Sequence, residues 1–148
     1  MSDMSTFKSR PAELKCSAEE FYYFITDIRN FRQFIPADTI SDLIVEQDSC
    51  SFQAGILGTV KVRITEKTMF SKIVFTGGAV QVENFSLVMD IRESSGRSAE
   101  VNVTMLAEMN PFLKMIAADP VKKFLEKLVD EMERFDGWND TKEQNQSP

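Results

Sequence analysis

Three polar residues at one bend of the chain are the first candidates for chemistry. Asp27, Arg29 and Asn30 follow an aromatic segment. As catalysts, these side chains would have to point into the protein and to have shifted pKa values. As structural groups, Asp27 would cap a helix and Asn30 would bind the backbone of a loop. The cap chemistry favours the structural role, so we predict no catalytic residue.

The absence of histidine narrows the chemistry further. The 148 residues include no His and two Cys, Cys16 and Cys50. Such a chain lacks the usual general base, the usual partner of a nucleophilic Ser or Cys, and the commonest metal ligand. The two thiols are far apart in sequence, and with no export signal we expect them to be reduced. We therefore predict no bound metal and no cofactor.

The charge of the chain excludes some partners. Seventeen basic and 23 acidic residues give a formal net charge of -6, which repels phosphate backbones. We therefore expect no nucleic-acid partner. The sequence has neither a basic-then-apolar leader nor an apolar run long enough to span a bilayer. We expect a cytoplasmic protein that is not an integral membrane protein, and the oligomeric state stays open.

The elements that position any site begin with the segment "SAEEFYYFITDIRNFRQFIP", residues 17–36. Ser17 and Glu20 match a capping box, and apolar residues then recur at three-and-four spacing. Asp27 can cap a second short turn, and Pro36 ends the segment. We predict two short consecutive helices that share one apolar face.

Strands make up most of the remaining chain. A first strand over Thr6–Lys15, confined to an edge or broken by Pro11, precedes the helices. From Thr39 to Glu108 the hydrophobic period is two, which predicts about six more strands. The gaps between them are short, so we expect an antiparallel meander.

The chain returns to a helical pattern after the last strand. Asn110–Pro111 is a helix start signal, and a four-turn apolar stripe follows. A second start signal, Asp119–Pro120, predicts a break or a kink. Gly137 can end the helix. We predict one domain over residues 1–136 and a flexible polar tail over residues 137–148.

The order of these elements resembles the START-related helix-grip superfamily, also known as SRPBCC or polyketide-cyclase-like proteins. The likeness covers residues 4–136 and includes the segment of residues 17–36, "CSF", "NP" after the last strand and "DPVKKFLEKLVDEMERF". The most specific part is the spacing of Asp27, Asn30 and Pro36. The resemblance implies an α+β helix-grip fold, in which a curved antiparallel sheet of about seven strands wraps around a long C-terminal helix. It also implies a deep apolar cavity between sheet and helix. Members bind lipids, sterols, quinones or plant metabolites, and some are cyclases or hydroxylase subunits.

The candidate ligand-binding residues lie on the inward faces of the strands and the C-terminal helix. These faces carry almost no polar atom, and they could equally fill a core. The candidates are Val62, Ile73, Phe75, Phe85, Leu87, Met89, Val103, Met105, Met115, Ile116 and Phe124.

The first functional hypothesis is the binding of a small apolar or amphipathic ligand, such as a lipid, quinone or aromatic metabolite. An anionic head group would then stay at the cavity mouth beside Arg29, Arg32 or a lysine. A cyclase or dehydratase using Asp or Glu is the second hypothesis, and the missing histidine counts against it. The third is a protein-interaction domain whose cavity is filled by its own side chains.

Overall fold

The computed structural model describes residues 3–35, 40–55, 58–79, 82, 84–94 and 98–138. One antiparallel sheet of eight strands is covered by helices on its inner face. The elements in chain order are β1 Asp3–Lys8, β2 Ala12–Leu14, α1 Ala18–Ile25, α2 Ile28–Phe31, β3 Ser41–Val45, β4 Ser49–Gln53, β5 Thr59–Thr68, β6 Lys72–Gly78, β7 Phe85–Glu93, β8 Ala99–Met109 and α3 Pro111–Arg134. The strand order is β1-β8-β7-β6-β5-β4-β3, and β2 also pairs with β8. The predicted α+β class and order of elements are confirmed.

The first predicted strand is two strands, which makes the total eight rather than about seven. β1 pairs with the second half of β8, and β2 pairs with its first half, with Ala12 opposite Val101. The chain leaves the ladder between Ser9 and Pro11 because proline has no N–H to donate to a neighbouring strand. Ser9 still pairs with Val103: its N–H donates to the Val103 carbonyl at 2.9 Å, and its Oγ accepts from the Val103 N–H at 3.2 Å.

The two faces of the sheet alternate as the sequence predicts. On β5, Val60 and Val62 are buried while Lys61 and Arg63 are exposed. The pairing of β5 with β6 shifts register after Ile64, so a bulge ends the strict alternation there. The inner face of β5 to β8 therefore presents a continuous apolar surface to the helices.

The two short helices begin where the sequence predicts. Ser17 Oγ accepts a bond from the Glu20 N–H at 3.1 Å, and Glu20 Oε1 accepts one from the Ser17 N–H at 2.9 Å. Asp27 caps α2 by accepting from the Arg29 N–H at 3.0 Å. Pro36, which the sequence predicts to end this helical segment, lies outside the described residues. α1 contacts β7 and β8, and α2 contacts β4, so the pair closes one end of the curved sheet.

The C-terminal helix is continuous, so of the predicted break or kink at Pro120 the break is wrong. α3 runs from Pro111 to Arg134 with Pro120 inside it. A proline removes a single backbone bond, here the one to the Ile116 carbonyl. Ala117 and Val121, on either side, are buried and hold both halves of the helix in place. The close contacts of α3 with the sheet are with β1, β2 and β8.

An aromatic cluster fixes the end of α3 to the N-terminal helices. Trp138 is 2% exposed, and its ring centroid lies 5.0 Å from that of Phe24 and 4.7 Å from that of Phe135. Phe21 and Phe34 complete the cluster, at 5.6 and 5.4 Å from Trp138. The prediction that the polar tail includes Trp138 is therefore wrong, because this ring is core. Residues 139–148 lie outside the described part of the chain.

Arg10 ties the β1–β2 junction to the last turns of α3. Its guanidinium donates to Asp130 at 2.7 Å and to Glu133 at 2.7 and 2.9 Å. The Glu13 N–H also donates to Glu133, at 3.0 Å. The bonds from Arg10 hold the pKa of Glu133 below its ordinary value.

Replacing Arg10 with methionine should lower the free energy of unfolding at pH 7 by at most about 1 kcal/mol, because the pair is part-exposed. The folded-state pKa of Glu133 is depressed, so this contribution is present above the ordinary glutamate pKa of about 4.3 and is lost as pH falls through the folded value. Urea unfolding of both proteins at pH 7, and at the lowest pH where both stay folded, checks this. An equal difference at the two pH values would contradict it.

Candidate functional site

A large apolar cavity lies between the inner face of the sheet and the first half of α3. Its volume is about 770 Å³, which is within the range of volumes of small-molecule binding sites. The residues that line it are Phe31, Ile40, Phe52, Ala54, Gly55, Val60, Val62, Ala79, Val82, Phe85, Leu87, Met105, Ala107, Met109, Ile116, Ala117, Pro120, Val121, Lys123, Phe124 and Lys127.

The cavity occupies one end of the curved sheet, and α1 covers the other. Cross-strand pairs of β7 and β8 mark the boundary. Leu87 and Met105 face each other in the cavity wall, whereas the next inward pair, Met89 and Val103, is packed core. The Ala18 N–H at the start of α1 donates to Glu93 at the end of β7 at 2.7 Å, so α1 lies on the core half.

Close packing at a glycine shapes one wall of the cavity. A Cβ atom on Gly77 would lie 2.8 Å from the Phe85 ring and 2.2 Å from the Lys61 carbonyl oxygen. The ring of Phe85 can therefore lie flat against β6 because residue 77 has no side chain.

The opening of the cavity lies along α3. Among the lining residues, Gly55, Ile116, Pro120 and Lys123 are solvent-exposed, so they mark where the cavity meets water. Because Pro120 donates no backbone bond, the Ile116 carbonyl lacks its usual helical donor at this opening. A polar ligand group at the mouth could use that acceptor.

Two lysines are the polar side chains of the cavity lining within the described residues. Lys123 and Lys127 are four residues apart on α3, so they lie on one side of the helix. The remaining described lining residues include no Asp, Glu, Ser, Thr, Tyr, Asn or Gln. A wall of this composition can exclude water and bind apolar surface, and it can meet a negative charge at one place.

The structure separates the eleven sequence-predicted site residues into three groups. Six line the cavity: Val62, Phe85, Leu87, Met105, Ile116 and Phe124. Four are buried core residues outside its lining: Ile73, Phe75, Met89 and Val103. Met115 faces away from the cavity with 76% of its side chain exposed, because the core-facing residues at this end of α3 are Leu113 and Ala117.

Sequence reasoning missed much of the wall. Phe31, Phe52 and Ala107 line the cavity and are not among the sequence-predicted residues, although the alternation along β4 and β8 places Phe52 and Ala107 inward. The spacing of Lys123 and Lys127 beside Phe124 was the available signal for a charged rim on an apolar wall.

The polar candidates of the α1–α2 bend have structural roles. Arg29 donates to both carboxylate oxygens of Asp27, at 2.9 and 2.7 Å, which holds the pKa of Asp27 below its ordinary value. Asn30 donates to the Phe24 carbonyl at 2.9 Å. Of the expected head-group partners, Arg29, Arg32 or a lysine, neither arginine lines the apolar cavity, whereas Lys123 and Lys127 do.

Both thiols are buried. Burial raises the pKa of Cys50 to about 11, and burial together with the charges of Glu20 and Glu93 raises that of Cys16 to about 12. Thiols of this kind are protonated at neutral pH and are poor nucleophiles.

The described residues contain no cluster of three or more Cys, Asp or Glu side chains that could hold a metal ion. None of the described helices is long and apolar enough to cross a membrane.

Comparison with known proteins finds solved structures of similar fold. No family model matches the sequence, and no curated protein matches it. Among solved structures, norcoclaurine synthase from Thalictrum flavum has a TM-score of 0.71 at 7% identity, over 90% of this chain and 86% of that one. The protein XoxI from Bacillus cereus has a TM-score of 0.65 at 12% identity, over 94% and 97%. A conserved protein from Geobacillus kaustophilus has a TM-score of 0.63 at 15% identity, over 88% and 93%.

These likenesses confirm the predicted resemblance at the level of the fold. The chain has the helix-grip fold, with the long helix, the curved sheet and the early helix pair of that architecture. At such low identity they define no shared activity.

Proposed function

We propose that this protein binds one small apolar or amphipathic molecule in the cavity between the sheet and α3. The observation that carries the proposal is a cavity of about 770 Å³ whose described wall is apolar apart from two lysines at one side. Burial of apolar ligand surface supplies the binding free energy, at about 25 cal/mol per Å² removed from water. A cavity of this volume does not favour an interior filled by its own side chains.

A negatively charged head group is the polar feature that fits the opening. Lys123 lies at the mouth with its side chain exposed, and Lys127 follows one turn later. A carboxylate there keeps its water and gains a charge-assisted contact, whereas the same charge deeper in the cavity would lose its hydration unpaired. Fatty acids and similar amphipathic acids have this combination of long apolar body and single charge.

A catalytic role has less support. One neighbour in fold is a synthase by name, and one of its solved structures is a complex with a transition-state analogue. The described wall of this cavity offers no carboxylate for acid–base chemistry, and the two thiols are buried and protonated. Binding without turnover is therefore the function that these residues favour.

Titration with a fluorescent long-chain fatty acid and its methyl ester tests the proposal. We expect micromolar dissociation constants, on the order of -8 kcal/mol, for both probes. Replacing Lys123 and Lys127 together with methionine should weaken binding of the acid about tenfold, or about 1.4 kcal/mol, and leave the ester unchanged.

Lys122→Met is the matched control, since Lys122 lies on the same helix and does not line the cavity. It should change neither affinity. If neither probe bound the wild-type protein with a dissociation constant of 100 μM or below, which corresponds to about -5.5 kcal/mol, the proposed function would be wrong.

A further inference from the structure

The first two turns of α3 expose three large apolar side chains to solvent. Phe112, Met115 and Ile116 are 70, 76 and 43% exposed, while Leu113 and Ala117 beside them are buried. Their spacing places the three on one side of the helix. They form the α3 apolar patch, and an exposed apolar group of this kind marks an interaction surface more often than a chance feature.

The patch continues into the cavity opening. Ile116 belongs to both, and Pro120 and Lys123 extend the opening along the same helix. A partner that covers the patch would therefore also cover the mouth of the cavity. Asp119, one turn beyond Ile116, limits the patch to the first two turns.

The stretch of α3 that carries the patch and the cavity opening has a charge opposite to that of the whole protein. Residues 111–127 contain four lysines and two acidic residues, a formal charge of +2 (four minus two), whereas the complete chain carries -6. Lys122 and Lys123 are exposed and lie seven residues after Met115 and Ile116, on the patch side of the helix. Apolar side chains flanked by lysines on a helix are typical of surfaces that lie in a lipid headgroup layer.

We propose that the α3 apolar patch docks the protein on an anionic lipid bilayer. Phe112 and Met115 would enter the boundary between headgroups and acyl chains, and the flanking lysines would lie over anionic headgroups. A second copy of the chain fits less well. Three partly exposed side chains supply roughly half of the about 800 Å² that each partner contributes to a stable interface. The docking goes beyond ligand binding in the cavity and does not require it.

Sedimentation with sucrose-loaded vesicles tests the docking, using the full-length protein without added ligand. One vesicle type is phosphatidylcholine alone, and the other contains phosphatidylglycerol at about one lipid in three. We expect binding to the anionic vesicles, and we expect it to weaken as salt is raised, because salt screens the lysines. The double variant Phe112→Gln/Met115→Gln should bind at least about tenfold more weakly, because it lacks the inserted apolar area.

The control variant is Met69→Gln/Ile44→Gln, which removes two other exposed apolar side chains: Met69, 63% exposed, in the β5–β6 turn, and Ile44, 58% exposed, on β3. It should bind vesicles like the wild type. All four replaced side chains are exposed, so both variants should fold, and circular dichroism checks this.

A wild-type protein that fails to sediment with anionic vesicles would overturn the proposal, as would a patch variant that binds equally well. A wild-type dimer that the patch variant dissociates would assign the patch to a second copy instead. Because the vesicle assay contains no cavity ligand, its failure would leave the fatty-acid titration unaffected.

Discussion

Replacement of Trp138 with alanine should lower the free energy of unfolding by about 3–5 kcal/mol. Trp138 is 2% exposed and contacts four phenylalanine rings that come from α1, the turn after α2 and the end of α3. Its indole N–H donates to the Phe135 carbonyl at 3.1 Å. Truncation would leave a void between the helix pair and α3 that neighbouring rings cannot fill without leaving their own contacts.

Two truncated chains separate this effect from that of the residues that follow. One chain ends at Gly137 and the other at Trp138, so they differ by a single residue. Urea unfolding should show the shorter chain to be less stable by about the same 3–5 kcal/mol. Equal midpoints for the two chains would mean that Trp138 contributes nothing to the core and that the polar tail begins at residue 137, as the sequence predicts.

Replacement of Leu87 with aspartate should weaken binding of the fatty-acid methyl ester at least about 100-fold, or about 2.7 kcal/mol. Leu87 is 4% exposed and faces Met105 across the apolar wall. A ligand that covers an aspartate there would remove its water and leave the charge unpaired, a cost of several kcal/mol. The ester is the informative probe because it has no charge of its own to be repelled.

Val88→Asp is the matched control, because Val88 is the next residue of β7 and lies on the opposite face of the sheet. It should bind the ester like the wild type. Asparagine has nearly the volume of aspartate but carries no charge. The Leu87→Asn variant should therefore lose only about tenfold in affinity for the ester, or about 1.4 kcal/mol. Full affinity in a folded Leu87→Asp or Leu87→Asn protein would place the ligand outside this cavity.

Local patterns in the sequence determined the elements and their order. The capping box at Ser17 and Glu20 and the Asn110–Pro111 start signal depend on bonds within one turn, so the residues involved are neighbours in sequence. The period of two fixed which side of each strand faces inward, since a one-residue slip would invert the whole face. Residue type also determined the roles of Asp27 and Asn30, whose short polar side chains reach nearby backbone groups.

Only the tertiary structure decided which inward residues line a cavity and which fill a core. Met89 and Leu87 have the same period and the same chemistry, yet α1 packs against one end of their strand and leaves the other end open. The burial of Trp138 depends on rings more than 100 residues away in sequence, which no local composition reveals.

Met115 is the opposite case, an apolar side chain that the pattern places inward and the structure leaves exposed. Its stripe predicts an inward side chain, but the packing of α3 buries Leu113 and Ala117 and leaves Met115 on the solvent side of the same turns. Periodicity gives the direction of a side chain relative to its own element, whereas the distance between elements is set by how all of them pack together.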